Sequence, residues 1–252
     1  MIDHTSINPV FKRAGEAALI IEFGDTLDLS VNRAVQLFDR FISDTKTMGV
    51  TDTVPTLRSM LVRFDPLVVS AAQLQSQLER QIGLIDWSDT TLAQTFTRWR
   101  VPVCYGGEHG EDLIEVASLL GLTADQVIAE HCEAIQKVLT LGFAPGFCYL
   151  GLLPSHWNLP RLETVKPFVP PGSVSVAVNQ TVVTSTAIPT GWRTIGRTPF
   201  CNFDSNAEPP VKIVAGDEVV FNAIDHDEFK RLSHAGTQGQ NMITGSPVGA
   251  EL

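Results

Sequence analysis

Apolar residues fall at helical spacing between Leu29 and Ile42, at Val31, Ala34, Val35, Phe38, Phe41 and Ile42, which predicts a helix. A second helix is predicted after Ser70. Ser70 and Gln73 stand at capping-box spacing, and Ala71, Leu74, Leu78 and Ile82 line one helical face. Residues 14–23, AGEAALIIEF, read as a buried strand, and Thr53–Phe64 reads as extended, with LRSMLVRF alternating before the Asp65-Pro66 turn. The order strand, helix, strand, helix predicts a small α+β sheet of ferredoxin-like type. Polar residues cluster from Asp86 to Thr91, and the boundary is placed there, giving domains 1–92 and 93–252.

The second half has a different pattern. TRWRVPVCY reads as a strand, Glu111–Leu120 as a helix, and Thr123 with Gln126 caps another helix ending near His131. IQKVLTLGF, SVSVAV, QTVVTS, WRTIG and DEVVFNAI are further strands. Many short strands with Gly/Pro turns predict a sandwich or closed barrel. The polar, glycine-rich tail after Leu232 is expected to wrap the surface or fray. The stretch Leu141–Pro199 organises this half: glycine and proline interrupt it every few residues, and they alternate with Phe143, Phe147, Tyr149 and Trp192. Several of its corners are expected to converge on one concave site.

Composition narrows the classes. The chain has 252 residues, 44% of them hydrophobic, enough for a sizeable core. A net charge of −10 without a Lys/Arg run argues against nucleic acid as a partner. The first residues lack a signal-peptide core and no apolar run approaches a membrane span, so a cytoplasmic location is expected. Cys104, Cys132, Cys148 and Cys201 show no metal or disulfide spacing and read as reduced thiols, mostly buried.

Neither a Walker motif, HExxH, GxSxG nor a paired Cys/His set is present, so no metal is expected. Ser173, after Pro170-Pro171-Gly172, reads as a turn residue rather than a nucleophile. Cys148, set among apolar neighbours, reads as an inert thiol. His131 either complements its helix dipole or points at the glycine-rich turn. Arg161 and Arg197 sit in turns beside prolines, where a guanidinium suits bidentate capture of carboxylate or phosphate, or serves as a loop brace. Trp192 reads equally as barrel core or as a stacking wall.

GFAPGFCYLGLLP, PPGSVSVA and GWRTIGRTP resemble the signature blocks of the KipI / allophanate hydrolase subunit 1 family, also known as the B-type subunits of 5-oxoprolinase. That family corresponds to part of the carboxyltransferase domain of urea carboxylase. GEAALIIEFGD, VPTLRSMLVRFDP and VPVCYGGEHGEDLIEVASLLGLTADQVIAEH match in the expected order, so the resemblance covers nearly the whole chain. It implies an N-terminal α+β domain followed by a cyclophilin-like β-barrel. It also implies a KipA-type (C-type) partner and a third subunit, making an ATP-dependent hydrolase that converts 5-oxoproline to glutamate, with ATP bound by the complex. One branch instead inhibits a sensor histidine kinase. Gly142, Pro145, Gly146, Phe147, Gly172, Ser173, Trp192, Gly196 and Arg197 match the blocks and carry over as site candidates. In this reading Arg197 and Arg161 neutralise a small carboxylated substrate, amides of the Gly142–Phe147 turn receive oxyanion charge, and His131 carries the proton. The chain departs from the pattern at AVNQTVVTS, at Ile188-Pro189-Thr190-Gly191-Trp192 and at PRLETVKP.

Overall fold

The computed structural model describes residues 7–85, 87, 96–234 and 242–248. They fall into two compact units, divided along the chain between Thr95 and Phe96. The boundary expected at residues 92 and 93 lies outside the described residues.

The N-terminal unit runs β1 (Val10–Arg13), β2 (Ala18–Glu22), α1 (Leu29–Thr45), β3 (Val50–Pro55), β4 (Ser59–Phe64) and α2 (Ala71–Ile82). Its antiparallel sheet has the order β1-β2-β4-β3. Asp28 caps α1 by accepting from Ser30 N at 2.7 Å, and Ser70 with Gln73 closes the expected capping box on α2. Period-2 burial turns Leu19, Ile21, Met60 and Val62 to one side of the sheet. There they join Phe38 of α1 and Leu74 and Leu78 of α2 in one core. Two expectations change. Thr53–Phe64 is not one extended run but parts of a hairpin, because Thr56 N returns to Ser59 O. In a ferredoxin-like order the strand flanking β2 would follow α2; here it is β1, from the segment before it.

The second unit is a barrel. Its strands are β5 (Phe96–Tyr105), β6 (Gln136–Leu141), β7 (Cys148–Gly151), β9 (Ser173–Ala177), β10 (Gln180–Val183), β12 (Arg193–Arg197) and β13 (Glu218–Ala223). The hydrogen-bonded order β12-β9-β10-β7-β6-β13-β5 returns to β12 through Gly196↔Tyr105 and Arg197↔Cys104, closing seven strands. β5 and β13 run parallel, and the remaining ring pairs are antiparallel. A Cβ at Gly196 would lie 2.6 Å from Val103 Cγ1 and 3.0 Å from Cys104 O, so glycine lets the closing strands approach. Val101, Val103, Val138, Leu150, Val174 and Ile195 belong to the core, joined by residues of α3 (Leu113–Leu120) and α4 (Ala124–Glu133). Asp217 fastens the seam, accepting from Thr97 N at 2.9 Å, Trp99 Nε1 at 2.8 Å and Val214 N at 3.1 Å.

A small sheet of β8 (Lys166–Val169) and β11 (Ile188–Thr190) carries Val169 and Ile188 into a separate cluster with Phe147, Ala177, Val182 and Trp192. α5 (His226–His234) follows β13, and within the tail β14 (Thr244–Val248) lies exposed and pairs antiparallel with the first half of β5. Residues 235–241 and 249–252 lie outside the description. No helix among the described residues is long and apolar enough to cross a membrane.

Candidate functional site

Alternation along β7, β9 and β10 puts Leu150, Val174, Val176 and Val183 in the main core, and Tyr149, Ala177 and Val182 on the opposite face. On that second face a row of aromatics forms. Ring centroids are 5.7 Å apart for Phe143–Phe147, 5.2 Å for Phe147–Tyr149 and 6.3 Å for Tyr149–Trp192. Arg161 completes the row, its guanidinium carbon 5.7 Å from the Trp192 ring centre. Trp192 is thus both satellite core and the floor beneath a cation.

Arg161 opens onto a groove of about 730 Å³ that Asp112, Glu115, Val165, Lys166 and Arg193 also line. Two of its three cations are neutralised in place. Lys166 binds Glu111 at 2.6 Å and Asp112, while Arg193 binds Glu115 at 2.9 Å and donates to Pro160 O. Asp112 also accepts from Thr194 N at 2.6 Å, which ties the ion pair to β12. Burial pulls the Lys166 pKa down, but Asp112 and Glu111 outweigh it and hold the ammonium above its ordinary value. Arg161 has no ion pair among the described residues and is exposed. Burial raises the Tyr149 pKa, and the Arg161 charge works against that rise.

The glycine-rich turn adjoins this row through Phe143 and Phe147. Gly146 is required there: φ is +72°, and a Cβ would meet Phe203 Cβ at 2.8 Å and the Asn202 carbonyl carbon at 2.9 Å. Asn202 fixes the turn from beneath, donating to Gly146 O and Ile213 O and accepting from Ile213 N. Gly142 N donates to Phe147 O and Phe147 N to Ala144 O, so two of the amides expected to hold an oxyanion are already used within the turn. Pro145 O accepts from Ser185 Oγ.

The remaining expected residues lie elsewhere. Arg197 is at the far end of β12 from Trp192, roughly 15 Å along the strand at 3.3 Å per residue. It donates from Nε to Pro171 O at 2.9 Å and sits over the Phe229 ring. Gly172, with φ +80° and a would-be Cβ 2.1 Å from Thr198 O, shapes that corner, and Ser173 Oγ donates to Pro170 O. Ser173 thus opens β9 with its hydroxyl tied back to the preceding turn, and Arg197 braces the same corner.

His131 does not point at the glycine turn. It is 0% exposed, its ring 4.7 Å from Phe221 and 5.9 Å from Trp157. A consistent donor chain runs from Cys132 S–H to Tyr105 O–H and on to His131 Nδ1 at 2.7 Å. The far Nε2–H then donates to Thr181 Oγ1 at 3.0 Å. Burial lowers its pKa to about 3, so it is neutral near pH 7 and, sealed from solvent, is poorly placed as a proton carrier. Cys148 is likewise buried, its thiol pushed up to about 12 by burial against a weaker opposing bond from Asn202, which accords with an inert thiol.

The structure places Phe143, Phe147, Tyr149 and Trp192, the aromatics singled out in the sequence, in one row with Arg161. Sequence reasoning missed Asp112, Lys166 and Arg193 as the groove's charged wall. The acidic EHGED run at 108–112 was the available signal, but its partner Lys166 lies 54 residues from Asp112 and meets it only in the fold.

A family model described as carboxyltransferase domain, subdomain C and D, matches residues 9–213. The 5-oxoprolinase B subunit of Bacillus subtilis (strain 168) is 32% identical over 225 residues, covering 86% of this chain and 94% of that protein. The crystal structure of TTHA0988 is similar with a TM-score of 0.70 at 30% identity; the match covers 83% of this chain and 40% of that one. The Kluyveromyces lactis urea carboxylase shares the fold alone, with a TM-score of 0.81 at 15% identity over 98% of this chain and 25% of that one.

Proposed function

This chain belongs to the carboxyltransferase-domain family, subdomain C and D, and on that premise we propose that it is the B-type subunit of an ATP-dependent 5-oxoprolinase. It works with a KipA-type (C-type) partner and a third subunit, and ATP is consumed by the assembly. Water adds across the ring amide of 5-oxoproline, the C–N bond breaks, and glutamate is released. The name borne by the Bacillus subtilis relative supports this reading, and so does one observation. Among the three cations of the groove, Lys166 and Arg193 are neutralised by carboxylates of the chain, and Arg161 has no carboxylate partner among the described residues. A guanidinium in that position is matched to the planar carboxylate of a small substrate, with Trp192 and Tyr149 as walls for the methylene edge of its ring.

The role of Arg161 is checked in the reconstituted complex. Arg161→Ala is expected to lower kcat/KM for 5-oxoproline by about 100-fold, the worth of one charge-assisted bidentate contact, mostly through KM. Arg161→Lys should recover only part, since an ammonium lacks the planar fork. The penalty should vanish for the lactam that lacks the carboxylate. Unchanged turnover in Arg161→Ala overturns the groove assignment. Absence of ATP-dependent turnover with the partner subunits present overturns the reaction.

A further inference from the structure

At the other end of β12, three side chains converge that the proposed reaction does not use. His109 ends a short turn, Gly107–His109, that follows β5, and His226 is the first residue of α5. His109 Nε2 lies 3.0 Å from His226 Nδ1, His226 Nδ1 lies 3.3 Å from Glu108 Oε1, and His109 Nε2 lies 3.8 Å from the same oxygen. An ion equidistant from these atoms sits about 2 Å from each, the bond length of zinc to imidazole and carboxylate. We propose that Glu108, His109 and His226 bind one divalent cation of the zinc class.

Both ligand backbones are held in place before any ion arrives, which lowers the cost of assembling the set. His109 N and Gly110 N both donate to Gly106 O, and Gly110 packs against the Ile195 carbonyl. Asp225 accepts from Glu228 N and thereby caps the first turn of α5 under His226. Phe229 packs against the His109 ring at 4.2 Å between centroids, tilted by 42°, and restricts its rotation. Without an ion, the two facing nitrogens share one proton in a hydrogen bond. Two imidazoles and one carboxylate are the donor set of three-ligand zinc sites, which keep a fourth position for water. Glu108 is exposed and His226 partly so, which leaves the site within reach of a chelator.

The experiment titrates the full chain, stripped with chelator, with Zn²⁺ by calorimetry and with Co²⁺ by visible absorption. One equivalent is expected, with tetrahedral Co²⁺ bands and a rise in melting temperature. Removing a direct ligand exceeds the loss seen for outer-shell partners, so His226→Ala is expected to weaken binding by roughly 100-fold or more. His226 is part-exposed at a helix start, and its removal leaves the barrel core intact. His234→Ala, on the same helix, serves as the control and leaves binding unchanged. Failure to bind one equivalent, or equal affinity in His226→Ala, overturns the site.

Discussion

Acidification from pH 6.5 to pH 3 is expected to remove roughly 5 kcal/mol of stability from the barrel unit through His131 alone. In the folded chain the ring stays neutral down to about pH 3, because burial opposes its charge. The unfolded chain takes up the proton near the ordinary value of 6.5. Stability from this group is therefore complete above pH 6.5. It falls by about 1.4 kcal/mol for each pH unit between 6.5 and 3, and levels off below. Urea unfolding as a function of pH measures the slope. Because carboxylates titrate across part of the same range, the readout is the difference between the parent and His131→Gln, which keeps a polar group but cannot ionise. The variant starts lower by about 2 kcal/mol, since Tyr105 and Thr181 lose a matched partner. Parallel slopes in the two proteins would refute the assignment.

Gly110→Ala is expected to cost about 4 kcal/mol, near the top of what a single substitution does. A Cβ there would stand 2.0 Å from Ile195 O, 2.3 Å from its carbonyl carbon and 2.7 Å from Gly106 N. All three are backbone atoms, so no side chain rotates away and the turn must lift from β12. The lift also breaks the bond from Gly106 N to Ile195 O. Gly107→Ala is the comparison. It shares the turn and has φ +53°, but nothing lies within 4 Å of its Cβ, so only backbone strain of about 1 kcal/mol is expected. Chemical denaturation of both variants decides the matter: similar losses would mean that strain, and not contact with β12, governs this turn.

What could be read from the sequence was what local physics writes locally. The capping boxes at Ser70/Gln73 and Thr123/Gln126 fix helix starts within four residues, and both are present. SVSVA and QTVV are apolar enough to read as strands and are buried on both faces. The elements that escaped carry little of that signal. β8 and β11 each contain a proline, and β14, TGSPV, is nearly all exposed. α5 buries Phe229 alone, so its sequence carries no apolar face to mark a helix. The N-terminal sheet order escaped because β1, VFKR, has one half-buried position and no alternation to mark it. For the site, Arg161 stood out as a guanidinium beside proline in an acidic chain. Its distinction from Lys166 and Arg193 depends on which carboxylates lie opposite, and that is a property of the folded groove. His131 went wrong for a related reason: a histidine near a helix end looks the same in sequence whether it faces solvent or a core. His109 and His226, 117 residues apart, share no motif.

The parallel pairing of β5 with β13 has a consequence for how the protein is made. β5 is the first barrel strand to leave the ribosome, yet its parallel partner lies 120 residues further on. Closing a loop of that length costs entropy before any contact repays it. During synthesis Val101 and Val103 therefore stay unpaired on their strand until β13 emerges, and chaperones have that interval in which to bind them. The N-terminal unit draws its sheet from neighbours close in sequence, so its strands can all pair before β13 has been translated.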